Sequence, residues 1–526
     1  MESRLRSATV GAVLLSAPFT SQAATVRTES GLVMASGSGG LSVFKAIPFA
    51  APPVGELRWR EPQPVKPWRG VRRAGAFGPA CMQSGVSMPG ETPPMVSEDC
   101  LYLNIWSPVP KARVHLPVMV WIYGGGFTNG SASMPLYRGD RLAQKGIVVV
   151  TFGYRLGPFG FLAHPELTAE SAHHTSGNYG FLDQIAALRW VKRNIAAFGG
   201  DPEQVTIAGQ SAGAASVSIL MASPLAAGLF ERAIAQSGGV FEPLQLAPNY
   251  QLANAEREGQ GYATSLGVKS LSALRALPAN KLLEGKAADI SHPVIDTYVL
   301  PWSPYEAFVS GRVRDVPVLL GSNADEARSL IPDLDSVRAS TFEADITKRW
   351  GALPPQLLSA YPHATDDQAR EARLAFERDL RFGWDIWAWA RLAAASANSH
   401  VYYYHFTRKP PFPDGSVYGG WGASHFAELW YAFNHLNQEP WAWSPADIKL
   451  ADSISSYWVN FVKTGDPNSK GLPNWPRFTT ADEKVLYLDD PVSVGGVPNL
   501  KTLEAFDAVY DQVRGLKFDV RTPVAN

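Results

Sequence analysis

The chain has 526 residues and a formal net charge of −1. Length alone favours two or three domains. The near-neutral charge excludes a basic nucleic-acid surface and a polybasic membrane patch.

From the N-terminus, Arg4 and Arg6 precede an apolar run over residues 8–19 that is too short to span a bilayer. Ser21-Gln22-Ala23 has the small-x-small pattern of a cleavage site. The sequence therefore predicts a signal peptide over residues 1–23, cleavage after Ala23, and a periplasmic or secreted mature chain of residues 24–526. That mature chain carries no apolar run long enough for a transmembrane helix. Its only cysteines are Cys81 and Cys100, and an even count in an exported chain favours a disulfide. Closing a loop of this size stabilises by roughly 3 kcal/mol in the chain-entropy model. No histidine lies near either cysteine, which argues against a metal site.

Apolar runs at residues 118–123, 147–152, 205–208 and 316–320 read as buried parallel strands. Between them, Phe181, Ile185, Leu188, Val191 and Ile195 fall on one helical face, and Gly199 follows as a stop. Strands alternating with helices predict an α/β sheet with right-handed crossovers. The C-terminal third is rich in tryptophan and helical patterns, as at 384–395, and reads as a cap and extra helices on the same core.

Three motifs carry chemistry. After the first strand comes Trp121-Ile-Tyr-Gly-Gly-Gly-Phe127; consecutive glycines there let backbone N–H groups crowd a developing oxyanion. After the third comes Gly209-Gln-Ser-Ala-Gly213. A G-x-S-x-G corner between strand and helix forces the serine into a strained conformation, with its oxygen above the sheet's C-terminal edge. Ser211 is thus a candidate nucleophile. A serine hydroxyl needs a histidine base and an orienting carboxylate, following it along the chain in the order acid, then histidine. After the fourth strand, Asp325 and Glu326 are adjacent and equally placed for the acid. His363, His400, His405, His425 and His435 all lie downstream, and composition does not rank them. His425 has one local advantage: it follows the flexible stretch Gly420-Trp-Gly-Ala-Ser424 and opens the helix-like residues 426–433.

With these motifs the chain resembles the type B carboxylesterases, the family of bacterial para-nitrobenzyl esterases and the cholinesterases. Further segments carry the resemblance: Pro48-Phe-Ala-Ala-Pro-Pro-Val-Gly-Glu-Leu-Arg58, Ser97-Glu-Asp-Cys-Leu-Tyr-Leu-Asn104, Gly177-Asn-Tyr-Gly-Phe-Leu-Asp-Gln184, Phe198-Gly-Gly-Asp-Pro202, Ala235-Gln-Ser-Gly238 and Gly465-Asp-Pro-Asn468. The resemblance implies one α/β-hydrolase domain over 24–526: a mostly parallel central sheet flanked by helices, with large cap insertions. It implies Glu326 as the acid and His425, in Gly422-Ala-Ser-His-Phe-Ala-Glu-Leu429, as the base. It also implies Gly125, Gly126 and Ala212 as oxyanion donors, a Cys81–Cys100 disulfide, and Ser237 as a hydroxyl near the acid.

The chain departs from the family pattern in three places. Gln210 stands where the family has Glu before the serine, Ala327 where it has Gly after the acid, and Gly153 where it has Asn. The implied activity is a serine carboxylesterase acting on neutral esters, needing no cofactor or metal, with a small-molecule ester as its partner. Rivals at the same site are a lipase and an amide or carbamate hydrolase. A non-catalytic binding member of the family would have lost triad residues, and this chain keeps a residue for each. In the cholinesterases, the resemblance implies, a tryptophan of the first disulfide loop and the Glu before the serine receive the cationic group; here the matching loop 81–100 contains no aromatic residue and Gln210 is neutral, so cationic esters should not be favoured. Met82, Met88 and Met95 are expected to offer a soft apolar surface there instead.

Overall fold

The computed structural model describes residues 24–515 except 39, 87, 89–93, 109–114, 352 and 396–398. The export segment and its cleavage point lie outside the described residues. In chain order the main strands are β1 (Thr25–Thr28), β2 (Gly31–Ser38), β3 (Leu41–Pro48), β4 (Tyr102–Ser107), β5 (Leu116–Ile122), β6 (Val148–Phe152) and β7 (Gly200–Gln210). They continue with β8 (Arg232–Gln236), β9 (Val318–Asn323), β10 (Val401–Phe406), β11 (Val485–Leu488) and β12 (Ser493–Gly495). All join one sheet in the order β1-β2-β3-β4-β6-β5-β7-β8-β9-β10-β11-β12, with Val71–Ala74 paired to β2.

From β6 through β11 every pairing is parallel, and the pairings β1-β2-β3-β4-β6 and β11-β12 at the two sides are antiparallel, while Val71–Ala74 pairs with β2 in parallel. The four apolar runs read from sequence become β5, β6, β7 and β9, four of five adjacent strands at the centre. Every residue of β6 and of β9 is buried, because helices cover both faces of a parallel sheet. The fifth central strand, β8, is the short segment Arg-Ala-Ile-Ala-Gln, whose polar ends hide it from a search for apolar runs.

Two crossover helices fix the site. The first, α1 (Tyr179–Asn194), links β6 to β7 and continues as a 3₁₀ turn to Phe198; Gly199 then ends it at φ 84°. The second, α2 (Ala212–Ala222), links β7 to β8 and is buried along its whole length. Its run of Ala, Gly and Ser lets it sit close against the sheet. Later come α3 (Trp384–Ala395), with the bounds its pattern predicts, and α4 (Pro445–Thr464), started by a Ser444/Asp447 capping box. One hydrophobic core cluster extends from Val26 to Tyr510, with two small satellites.

Cys81 and Cys100 form a buried disulfide. Beside it, a side chain at Gly153 would meet the Cys100 carbonyl oxygen at 2.6 Å, which gives that departure a steric reason. Ala327 packs into a small cluster with Ile331 and Leu374.

Candidate active site

Register places the site. Gln210 at the end of β7 pairs with Gln236 at the end of β8, and Gln236 pairs with Gly321 of β9. The turns leaving these strands therefore emerge side by side at the C-terminal edge, where ligands bind in such sheets.

Ser211 sits between β7 and α2 at φ 59°, ψ −126°, the strained conformation expected of a strand-to-helix corner. Its N–H donates to the Gln236 carbonyl at 2.8 Å. The corner tolerates no side chain at its flanks. A Cβ on Gly213 would lie 2.0 Å from the Ile122 carbonyl oxygen, and one on Gly209 would lie 2.4 Å from the Gly213 backbone.

Ser211 and His425 line a common cavity of about 780 Å³ with Gly125, Gly126 and Ala212. Gly125 and Gly126 adopt φ of 108° and 61°, and a Cβ on Gly125 would strike the Asn129 carbonyl at 2.2 Å. Ala212 is the first residue of α2, so its N–H is one of the helix's unsatisfied donors and lies at the positive end of the macrodipole.

Of the two adjacent acids, Glu326 reaches the imidazole. Its Oε2 lies 2.5 Å from His425 Nδ1, and its Oε1 accepts from the Asn323 N–H at 2.7 Å. Asp325 instead holds the loop before His425. Its Oδ2 accepts from the Ala423 N–H at 2.9 Å, and its Oδ1 pairs with Arg328 Nε at 3.0 Å. Phe382 stacks on His425, with centroids 4.4 Å apart and an interplanar angle of 19°. The helix expected over 426–433 is shorter, Leu429–Ala432.

The other histidines serve elsewhere. His363 stacks on Phe342, His435 faces the Arg138 carbonyl, and His400 is held low chiefly by burial. Burial, reinforced by Arg378, holds His405 low, at about 4. Ser237 sits beside the corner at φ 54°; its N–H donates to Gly321 O, and its buried Oγ has no hydrogen-bond partner among the described residues.

Sequence reasoning missed Glu428. Its Oε2 accepts from Asn323 Nδ2 at 2.5 Å and its Oε1 from Gln236 Nε2 at 3.1 Å, while Trp458 Nε1 of α4 donates to Gln236 Oε1 at 2.9 Å. Burial, then the neighbouring Glu326, pushes the Glu428 carboxyl up to about 7. Its position three residues after His425 was the available signal.

The cavity walls were also illegible in advance. Trp350, Trp421, Tyr250 and Phe382 supply aromatic surface, and Glu242 and Asp385 supply carboxyls. Burial holds both carboxyls toward the protonated form, Asp385 well above the usual range. The expected methionine surface is not there. Met88 is buried, Met95 is 75% exposed, and Met82 lines a separate small cavity. Among the described residues of that loop, Val86 faces the Ser211 cavity.

No group of three or more His, Cys, Asp or Glu suited to a metal ion occurs among the described residues, and no described helix is long and apolar enough to cross a membrane.

The profile of the carboxylesterase family matches residues 22–505. The chain is 39% identical to a fumonisin B1 esterase of Sphingopyxis macrogoltabida over 483 residues, covering 88% of this chain and 85% of that protein. It is 35% identical to a para-nitrobenzyl esterase of Bacillus subtilis (strain 168) over 504 residues, covering 90% and 96%. A solved para-nitrobenzyl esterase structure superposes with a TM-score of 0.78 at 34% identity, covering 91% of this chain and 99% of that one. A carboxylesterase of Geobacillus stearothermophilus likewise gives a TM-score of 0.78 at 34% identity, covering 92% and 99%. The chain therefore has the α/β-hydrolase fold and belongs to the carboxylesterase family of carboxylic ester hydrolases.

Proposed function

We propose that Ser211 is the nucleophile, His425 the general base and Glu326 its orienting acid, in one domain that hydrolyses neutral carboxylic esters. The carrying observation is the 2.5 Å contact of His425 Nδ1 with the buried Glu326 Oε2, His425 itself lining the cavity that also holds Ser211, Gly125, Gly126 and Ala212. Ser211 Oγ attacks the ester carbonyl carbon while its proton passes to His425 Nε2. The carbonyl π pair moves to oxygen, and the N–H groups of Gly125, Gly126 and Ala212 receive that oxyanion. As the C–O bond breaks, the Nε2 proton goes to the leaving alcohol. Water then repeats the sequence on the acyl-enzyme and releases the acid. Glu326 holds the imidazole tautomer and balances its transient positive charge. Nothing in this sequence calls for a metal or organic cofactor.

Neutral substrates suit the walls: the surface is mainly aromatic and aliphatic, and burial disfavours the anionic forms of Glu242 and Asp385. The likeness to esterases of fumonisin B1 and of para-nitrobenzyl esters supports ester cleavage. Export, with cleavage after Ala23, is proposed from the N-terminal pattern and is supported by the disulfide.

The test is a hydrolysis panel varying acyl and alcohol size independently, run on wild type and Ser211→Ala. A covalent acyl or phosphonyl adduct should map to Ser211 by peptide mass. An adduct elsewhere, or turnover retained in Ser211→Ala, would displace the assignment.

A further inference from the structure

Gln210 touches the imidazole itself. Its Nε2 lies 3.1 Å from His425 Nε2 and 3.5 Å from His425 Nδ1. An atom that close to both ring nitrogens lies beside the ring. It is not on the outward lone-pair axis of Nε2, so Gln210 does not block the direction from which a serine proton would arrive. The side chain is fully buried, and its Oε1 has no hydrogen-bond partner among the described residues. Leaving a buried carbonyl oxygen unpaired costs about 1–3 kcal/mol, which an apolar filler of the same shape would avoid. Turning the amide end for end would present Oε1 to the ring; in either orientation the ring meets a dipole and not a charge.

The remaining groups around the ring are accounted for. Glu326 is hydrogen-bonded to Nδ1, Glu428 lies behind it on the segment that follows His425, and Asp325 is paired with Arg328 beneath the preceding loop. Across the cavity stand Glu242, Asp385 and Arg381. Of these, Glu326 alone makes a charged contact with the imidazole.

We infer that Gln210 is a positioning residue for the base. With Phe382 it braces the imidazole, and its uncharged amide leaves the ring with one counter-ion in contact instead of two. The enzyme thereby keeps its base proton-free, and its activity, to lower pH than a carboxylate at position 210 would allow. This rests on the reading of Ser211, Glu326 and His425 given above.

The experiment compares the pH dependence of kcat/KM, with kcat and KM resolved, for wild type, Gln210→Glu and Gln210→Met on one neutral ester, with Ser211→Ala as control. A carboxylate in contact with an imidazole favours its cation by about one pH unit or more. Gln210→Glu should therefore move the acidic limb upward by about one unit, a loss of about tenfold relative to wild type below both midpoints. Gln210→Met removes the polar brace without adding charge. It should lower kcat about tenfold, with KM within about threefold and the limb not moved upward. Superimposable limbs for wild type and Gln210→Glu overturn the charge argument. If that variant does not fold, wild-type kcat in Gln210→Met overturns the positioning role by itself. Turnover in Ser211→Ala would instead break the underlying assignment. An inactive Ser211→Ala beside an unshifted Gln210→Glu sinks this inference alone.

Discussion

Replacing Glu428 by Gln tests the electrostatics behind the proposed triad. The carboxyl is 1% exposed, accepts from Asn323 and Gln236, and is raised from an ordinary 4.5 to about 7 by burial and then by Glu326. The sign follows from proton counts. Between 4.5 and 7 the folded chain keeps a proton on Glu428 that the unfolded chain has lost. The contribution to stability is thus full below 4.5 and lost as pH rises through about 7. A gap of about 2.5 pH units at about 1.4 kcal/mol each is about 3 kcal/mol. Glutamine never ionises, so Glu428→Gln should gain on wild type by about 3 kcal/mol between pH 4.5 and pH 8. For a chain of this size that is about 3 °C in Tm, at about 2 cal/mol/K of unfolding entropy per residue. Thermal melts of both proteins across that range measure it. A Tm difference independent of pH would refute the reasoning, because a carboxyl ionised throughout, or neutral throughout, gives no slope.

Ser211→Ala, Glu326→Ala and His425→Ala should each fold and lose kcat by about 10⁴-fold or more; near-normal turnover in the His425 variant would move the base elsewhere. Asp325→Ala should cost far less than Glu326→Ala, since Asp325 holds the Ala423 N–H and not the imidazole, and the reverse ranking in a kcat comparison would swap the acids. Prolonged chelation should leave activity unchanged; a loss restored by adding metal would contradict the cofactor-free mechanism. In kcat/KM, 3,3-dimethylbutyl butyrate should beat butyrylcholine, because Gln210 carries no charge and burial disfavours the anions of Glu242 and Asp385. A preference for the choline ester would mean that some other group of the cavity supplies a cation site and would overturn this argument.

Much of the centre was legible because its signals are local. The corner at Ser211 announces itself through Gly209 and Gly213, whose missing side chains the Gly213 backbone and the Ile122 carbonyl require. The central strands announce themselves as unbroken apolar runs, because both sheet faces are covered. The short strand β8 escaped because Arg232 and Gln236 break its apolar pattern. Length suggests several domains, while one large cluster of buried apolar residues extends from Val26 to Tyr510 among the described residues.

Identity at a position is local, but partnership is set by the register of the sheet. Asp325 and Glu326 are neighbours in sequence with the same chemistry, and spacing left them level. What separates them is direction. The 3₁₀ turn that begins at Glu326 sends its carboxylate to His425, 99 residues on, while Asp325 is spent on the Ala423 N–H. Gln210 posed the complementary problem: its identity was plain from the sequence, and its contact was not. It reaches His425 because β7 and β8 end level, with Gln210 beside Gln236, while β9 continues past Gly321, the partner of Gln236, to Asn323, whose side chain holds the Ser424 carbonyl of the loop bearing His425. A one-residue slip in that register would turn these side chains to the opposite face of the sheet. The geometry of the proposed triad thus depends on strand register, which the motifs carrying Gln210 and Gln236 do not spell out and a single sequence encodes only as apolar runs of about the right length.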